Sequence, residues 1–161
     1  MKHQESSAVV PVSPERVFAF IDDHMRLLSH MSKPSWRMGG GSMTTTHDVG
    51  RGQRVGSHIR MNGRVFGLAL WLHEVVIERE PPTRKVWETV GPPRLLVIGS
   101  YRMGFEATSQ GSGTRLRVFI EYMLPVTWPA RWFGRLFSGY YARWCTQSMV
   151  DDTDSHFGSN L

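Results

Sequence analysis

The sequence predicts an α+β domain: one strand, two short helices, about six antiparallel strands and one long C-terminal helix. Three observations predict it. Ser13-Pro14-Glu15 is a helix start, followed by apolar residues at helical spacing. Between Trp36 and Leu124, apolar and polar side chains alternate between glycine- and proline-rich breakers, as in an antiparallel sheet with one buried and one wet face. After Pro125 the period changes, and a helical pattern runs to about Phe157.

Each element has its own local reason. Ala8 to Val12 reads as the first strand. Ser13 then serves as N-cap, Pro14 as first helical residue and Glu15 as first-turn acid, with Val17, Phe20 and Ile21 forming an apolar stripe. Asp22-Asp23 can cap a second short helix carrying Met25, Leu28 and Met31, which must end before Pro34. Val55, Ser57, Ile59 and Met61 alternate, and Asn62-Gly63 signals a tight hairpin. Val65 to Ile77 reads as a long strand, Lys85 to Val90 as the next, and each is closed by a Pro-Pro turn. Val97, Tyr101, Met103 and Phe105 share one face of the following strand, and Leu116, Val118, Ile120 and Tyr122 one face of the last. In the long helix, Trp132, Phe133, Leu136, Phe137, Tyr140, Tyr141 and Trp144 fall within about half the circumference. This side is expected to pack on the sheet. Asp151, Asp152 and Asp154 oppose the helix dipole, so the last turn is expected to fray.

The 161 residues fit a single domain, residues 1–161, long enough to bury roughly 68–70% of its unfolded surface. A hydrophobic fraction of 40% with 20% charged residues argues against disorder. The single cysteine, Cys145, excludes an internal disulfide and a four-cysteine zinc site. The polar start and the absence of an apolar run as long as a membrane span lead to the expectation of a cytoplasmic protein. The net charge of +5 rests on 16 scattered arginines without a basic run, so nucleic acid is not the expected partner.

Three segments carry a resemblance. They are Val10 to Asp23, Glu78 to Trp87 across Pro81-Pro82, and Gly113 to Pro125. Together they resemble the first strand and helix, the Pro-rich strand turn, and the last strand of the START-like (SRPBCC) superfamily. That superfamily includes polyketide cyclases and birch-pollen-allergen-like proteins. The resemblance spans essentially the whole chain and implies a helix-grip fold, in which a bent sheet wraps around the C-terminal helix with an apolar cavity between them. It specifies fold more than function, because the scaffold hosts carriers, receptors and enzymes.

On this scheme Trp71 and His73 share a strand face with Val75 and Ile77 and point inward. The expected ligand-binding set is Trp71, His73, Tyr101, Met103, Phe105, Val118, Ile120, Phe133, Phe137, Tyr140 and Trp144. His73 could act as a general acid or base, against the plainer reading of a satisfied core histidine. Arg143 could bind an acidic head group, and Tyr122 and Tyr141 add hydroxyls to the walls. The seven histidines show no metal-ligand spacing, Gly50-x-Gly52-x-x-x-Gly56 precedes a strand and not a helix, and no nucleophile elbow occurs. No metal and no cofactor are expected. The leading function is therefore binding of a small hydrophobic molecule (a lipid, isoprenoid or polyketide-like aromatic). An aromatase/cyclase-like enzyme using His73, Arg143 or a tyrosine is the alternative. A peripheral membrane contact through the aromatic, basic last helix is the third candidate.

Overall fold

The computed structural model describes residues 1–23, 42–65 and 67–158. Seven strands form one antiparallel sheet: β1 (Lys2–Val10), β2 (Ser42–His47), β3 (His58–Val65), β4 (Leu68–Glu80), β5 (Arg84–Thr89), β6 (Tyr101–Gln110) and β7 (Gly113–Tyr122). Their order is β1-β7-β6-β5-β4-β3-β2. Helix α1 (Pro14–Ile21) follows β1, and α2 (Ala130–Gly158) is the last described element. This is the helix-grip α+β architecture expected from the sequence. The second short helix, expected around Met25 to Met31, lies outside the described residues.

Local physics accounts for the boundaries. The Ser13 carbonyl accepts the Arg16 and Val17 N–H groups, each at 3.1 Å, and starts α1 with Pro14 at its first position. Val17, Phe18 and Ile21 are buried, and Phe18 meets Phe105 of β6 with ring centroids 5.3 Å apart. Strand β1 begins earlier than expected because its inward series starts with Gln4 and Ser6, which give no apolar signal. The hairpin at Asn62-Gly63 does not form. Both residues lie inside β3, paired with Trp71 and Leu70, and the strand runs on to Val65, with β4 starting at Leu68. Just before β4, Gly67 has φ +73°, a left-handed conformation that glycine adopts without a Cβ penalty.

The concave sheet face holds the core. Leu116, Val118, Ile120 and Tyr122 of β7 are buried, as are Met103, Phe105 and Ala107 opposite them on β6. Burying a side chain of this kind contributes roughly 1.5–3 kcal/mol. On the convex face, Phe119 lies across Gly104, where an added Cβ would meet its ring at 2.8 Å. Arg84 and Arg117 cover Phe119, each with its guanidinium carbon 5.5 Å from the ring centre, and both pair with Glu106. An aromatic ring is thereby buried on the face that otherwise meets water.

Helix α2 packs mainly on β1 and β7, but on a different side from the one expected. Its buried stripe is Gly134, Ser138, Ala142, Thr146, Val150, Thr153 and Phe157. Small side chains let the helix backbone approach the strands, and Ser6 Oγ hydrogen-bonds Thr146 Oγ1 at 2.8 Å. A Cβ on Gly134 would sit 2.7 Å from Pro125 and 2.9 Å from the Val97 carbonyl oxygen. Bulk was the wrong guide to the packed side, because closeness of approach decided it. The last turn is not frayed: Phe157 is buried, its ring centroid 5.6 Å from that of Phe20 on α1, and His156 stacks on Phe20 at 4.3 Å.

Candidate functional site

The concave face beyond β7 and β6 carries both the apolar and the ionisable residues of the interior. The register sets this directly. Met103 pairs with Trp87, and Phe105 with Lys85, so both β5 residues face inward. Val76 pairs with Trp87, which places Leu70, Leu72, Glu74 and Val76 of β4 on the same face. A bulge between Val76 and Glu78 then adds one residue and turns Arg79 inward opposite Lys85.

This parity is the opposite of the expected one. Trp71 and His73 lie on the convex face, Trp71 exposed and His73 beside His58 of β3, with Nδ1 of His58 and Nε2 of His73 2.8 Å apart. His73 is held below its usual range by partial burial, by Arg60 and by His58. An imidazole reaching into the interior at position 73 is therefore not formed. Tyr101, Met103, Phe105, Val118 and Ile120 do face inward, as expected. Phe133, Phe137 and Tyr140 are exposed on the outer side of α2, and Trp144 is half-buried at its edge, its ring centroid 5.9 Å from that of Tyr141. Arg143 is exposed. Tyr122 is buried and Tyr141 is largely so, each within or against the core.

The interior polar residues were not anticipated. Glu74 is 2% exposed, and the Tyr101 hydroxyl and the Trp87 indole donate hydrogen bonds to it. Burial pushes its carboxyl up to about 7; the two hydrogen bonds and the Lys85 charge only partly oppose that rise. Glu74 thus changes charge near neutrality inside the protein. Burial and the facing Glu74 in turn hold the Tyr101 hydroxyl protonated, well above its ordinary range. On α2, Tyr141 hydrogen-bonds Cys145, whose thiol burial drives up to about 12, so no thiolate nucleophile is available.

A second cluster closes the α1 end. Lys85 is fully buried and donates to Asp22 Oδ1 at 2.7 Å and to the Asp22 carbonyl at 3.1 Å. Arg79 donates to both Asp22 carboxylate oxygens, at 3.3 and 2.9 Å. Burial works to raise the Asp22 carboxyl, but these two cations outweigh it and hold it ionised below its ordinary range. Outside the cluster, a groove of about 400 Å³ opens between Phe18, Asp22, Arg79, Gln53 and the Pro81-Pro82 turn. Among the described residues no group of three or more histidine, cysteine or carboxylate side chains is placed to hold a metal ion.

The sequence signal for Glu74 was present but ambiguous. In Leu68–Glu80 both parities are apolar, so alternation alone does not choose a face. The purely aliphatic set, Leu70, Leu72 and Val76, shares its parity with Glu74. Trp71 and His73, amphipathic side chains, hold the other.

Known structures of the same fold are numerous. Norcoclaurine synthase from Thalictrum flavum aligns with a TM-score of 0.67 at 13% identity, over 99% of this chain and 87% of that one. Major latex-like protein 151 from Panax ginseng aligns with a TM-score of 0.59 at 14% identity, over 97% of each chain. A protein of Chromobacterium violaceum gives 0.60 at 17% identity, over 94% and 96%. At these identities the likeness is one of fold. No functionally curated protein matches the sequence significantly. The sequence pattern described as "Polyketide cyclase / dehydrase and lipid transport" matches residues 1–151, nearly the whole chain. With the bent sheet and the helix across it already in place, that match settles the affiliation: the chain belongs to the polyketide cyclase/dehydrase and lipid transport family.

Proposed function

We propose that the protein binds a small hydrophobic molecule between the concave sheet face and α2, with Glu74 and Tyr101 as its polar anchor. The single observation carrying this reading is the composition of the inner wall. Apolar Met61, Leu72, Trp87, Met103 and Phe105 share the inner wall with one hydrogen-bonded ionisable pair, Glu74 and Tyr101, while Lys85, whose charge reaches Glu74, is paired with Asp22. Ligand sites are lined this way, mostly apolar with a few oriented polar groups. Helix α2 lies chiefly over β1 and β7, and the concave residues of β3 and β4 are covered in part by Leu95, Leu96 and Tyr101, so a ligand would enter by displacing that segment. A neutral Glu74 can donate to a ligand carbonyl, and the ionised form can accept from a ligand hydroxyl. Lipids, isoprenoids and polyketide-like aromatics all offer such a group at the end of an apolar body.

One observation favours a second reading. A buried carboxyl that titrates near 7 is matched to general acid–base work at neutral pH, so Glu74 could drive a cyclase- or aromatase-like proton transfer. Of the residues the sequence offers for that role, His73 and Arg143 lie on the outside, whereas Tyr101 packs against the core beside Glu74. Saturable binding of an apolar fluorophore, displaced by hydrophobic extracts of the host, tests the shared premise. Glu74→Gln then separates the readings. For a carrier, affinity stays within about tenfold, as for loss of one modest hydrogen bond. For an enzyme, turnover falls by about a hundredfold or more while binding survives.

A further inference from the structure

The first half of α2 turns its largest apolar side chains away from the sheet. Gly134, Ser138 and Ala142 are buried, while Trp132, Leu136 and Tyr140 are 56%, 57% and 75% exposed. Phe133 and Phe137 extend this surface, their ring centroids 6.3 Å apart, and Trp132 meets Phe133 edge-on at 5.5 Å. These rings pack on one another and not on the core. In the approach to the helix, Val126 and Trp128 are 87% and 83% exposed and enlarge the patch. At a rise of 1.5 Å per residue, the helical part from Trp132 to Tyr140 is about 12 Å long.

The charge distribution says what covers it. From Met123 to Val150 there are three arginines, Arg131, Arg135 and Arg143, and no aspartate or glutamate, although the chain holds 14 acids. At 100° per residue, Arg131 lies at the angle of the packed stripe, whereas Arg135 falls between that stripe and Trp132, and Arg143 between Trp132 and Leu136 on the ring side. From the latter two positions a long side chain can reach a polar layer while its apolar neighbours sink below it. Tryptophan, tyrosine and arginine around an apolar face are the composition of a helix that lies in a membrane interface. No helix among the described residues is long and apolar enough to cross a membrane, so the geometry is one of lying on the surface and not of spanning it.

We propose that this face docks on an anionic bilayer, with α2 parallel to the membrane plane. Trp128, Trp132, Leu136, Phe137 and Tyr140 enter the headgroup boundary, and Arg135 and Arg143 contact acidic headgroups. The inference does not depend on the interior ligand, and either can fail without the other. The experiment is co-sedimentation of the full chain with vesicles at low salt, where electrostatic attraction is least screened. Mixed phosphatidylglycerol/phosphatidylcholine vesicles are compared with phosphatidylcholine alone. The expected result is partitioning to the anionic vesicles only. Arg135→Gln/Arg143→Gln should lower it by about 30-fold, on the scale of one arginine's attraction to an acidic surface taken twice. Leu136→Ser/Phe137→Ser should abolish it with thermal unfolding unchanged, since both residues are exposed. Absence of partitioning at low salt, or equal partitioning of wild type and both variants, overturns the proposal. So does a dimer in sedimentation equilibrium that Leu136→Ser/Phe137→Ser dissociates, because a second copy would then own the surface.

Discussion

Glu74 makes the stability of this protein depend on pH in a direction that few carboxylates produce. Its carboxyl titrates at about 7 in the fold against an ordinary 4.5, because burial penalises the charged form. The folded state therefore holds a proton that the unfolded chain has already released between these two values. Where the native state binds more protons, stability falls as pH rises. The native advantage is intact below 4.5, declines through the interval and is fully lost above 7. At about 1.36 kcal/mol per unit, a shift of this size corresponds to about 3 kcal/mol. Glu74→Gln isolates the effect, since the amide oxygen can still accept the Tyr101 hydrogen bond but the side chain cannot ionise. Urea unfolding of both proteins from pH 4 to pH 8 gives the two stability curves. Wild type should lose about 3 kcal/mol relative to Glu74→Gln across that range, most of it between pH 5 and 7. Parallel curves would refute the argument, since they would mean that Glu74 ionises without cost and faces water.

Other perturbations follow from the same packing. Asp22→Ala leaves the fully buried Lys85 without its carboxylate and should cost about 3–5 kcal/mol in urea unfolding at neutral pH. Gly104→Ala places a methyl group 2.6 Å from the Lys85 carbonyl oxygen and 2.8 Å from Phe119, which should cost about 1–3 kcal/mol, read as a lowered melting temperature. Cys145, with its thiol pushed up to about 12, should resist a disulfide reagent at pH 8 in the folded protein and react fully in denaturant.

Element order was legible in the chain because it rests on local chemistry. Ser13-Pro14 starts a helix, and alternation on β6 and β7 is clean, with Arg102, Arg115 and Arg117 marking the wet side against Met103, Leu116 and Val118. The faces of β4 and α2 were not legible for related reasons. Strand β4 is apolar on both sides, so its parity is fixed only by pairing with β5, where Trp87 and Lys85 turn inward. Helix α2 offers two stripes, one of large rings and one of small residues. The small one is the buried one, because it permits close approach, as of Gly134 to Pro125 and the Val97 carbonyl and of Thr146 to Ser6 of β1. The hairpin at Asn62-Gly63 was a locally valid turn overridden by pairing along β3, with Gly67 supplying the positive φ farther on. Glu74 and Lys85 were invisible as interior residues because charge ordinarily reports solvent.

The central claim is that the concave face and α2 enclose a hydrophobic molecule. Native mass spectrometry of protein purified gently from its host tests it most directly. The account predicts a non-covalent adduct of small-molecule mass, lost on denaturation and recoverable in organic extract. A bare chain, unchanged after incubation with hydrophobic extract of the same host, would contradict it.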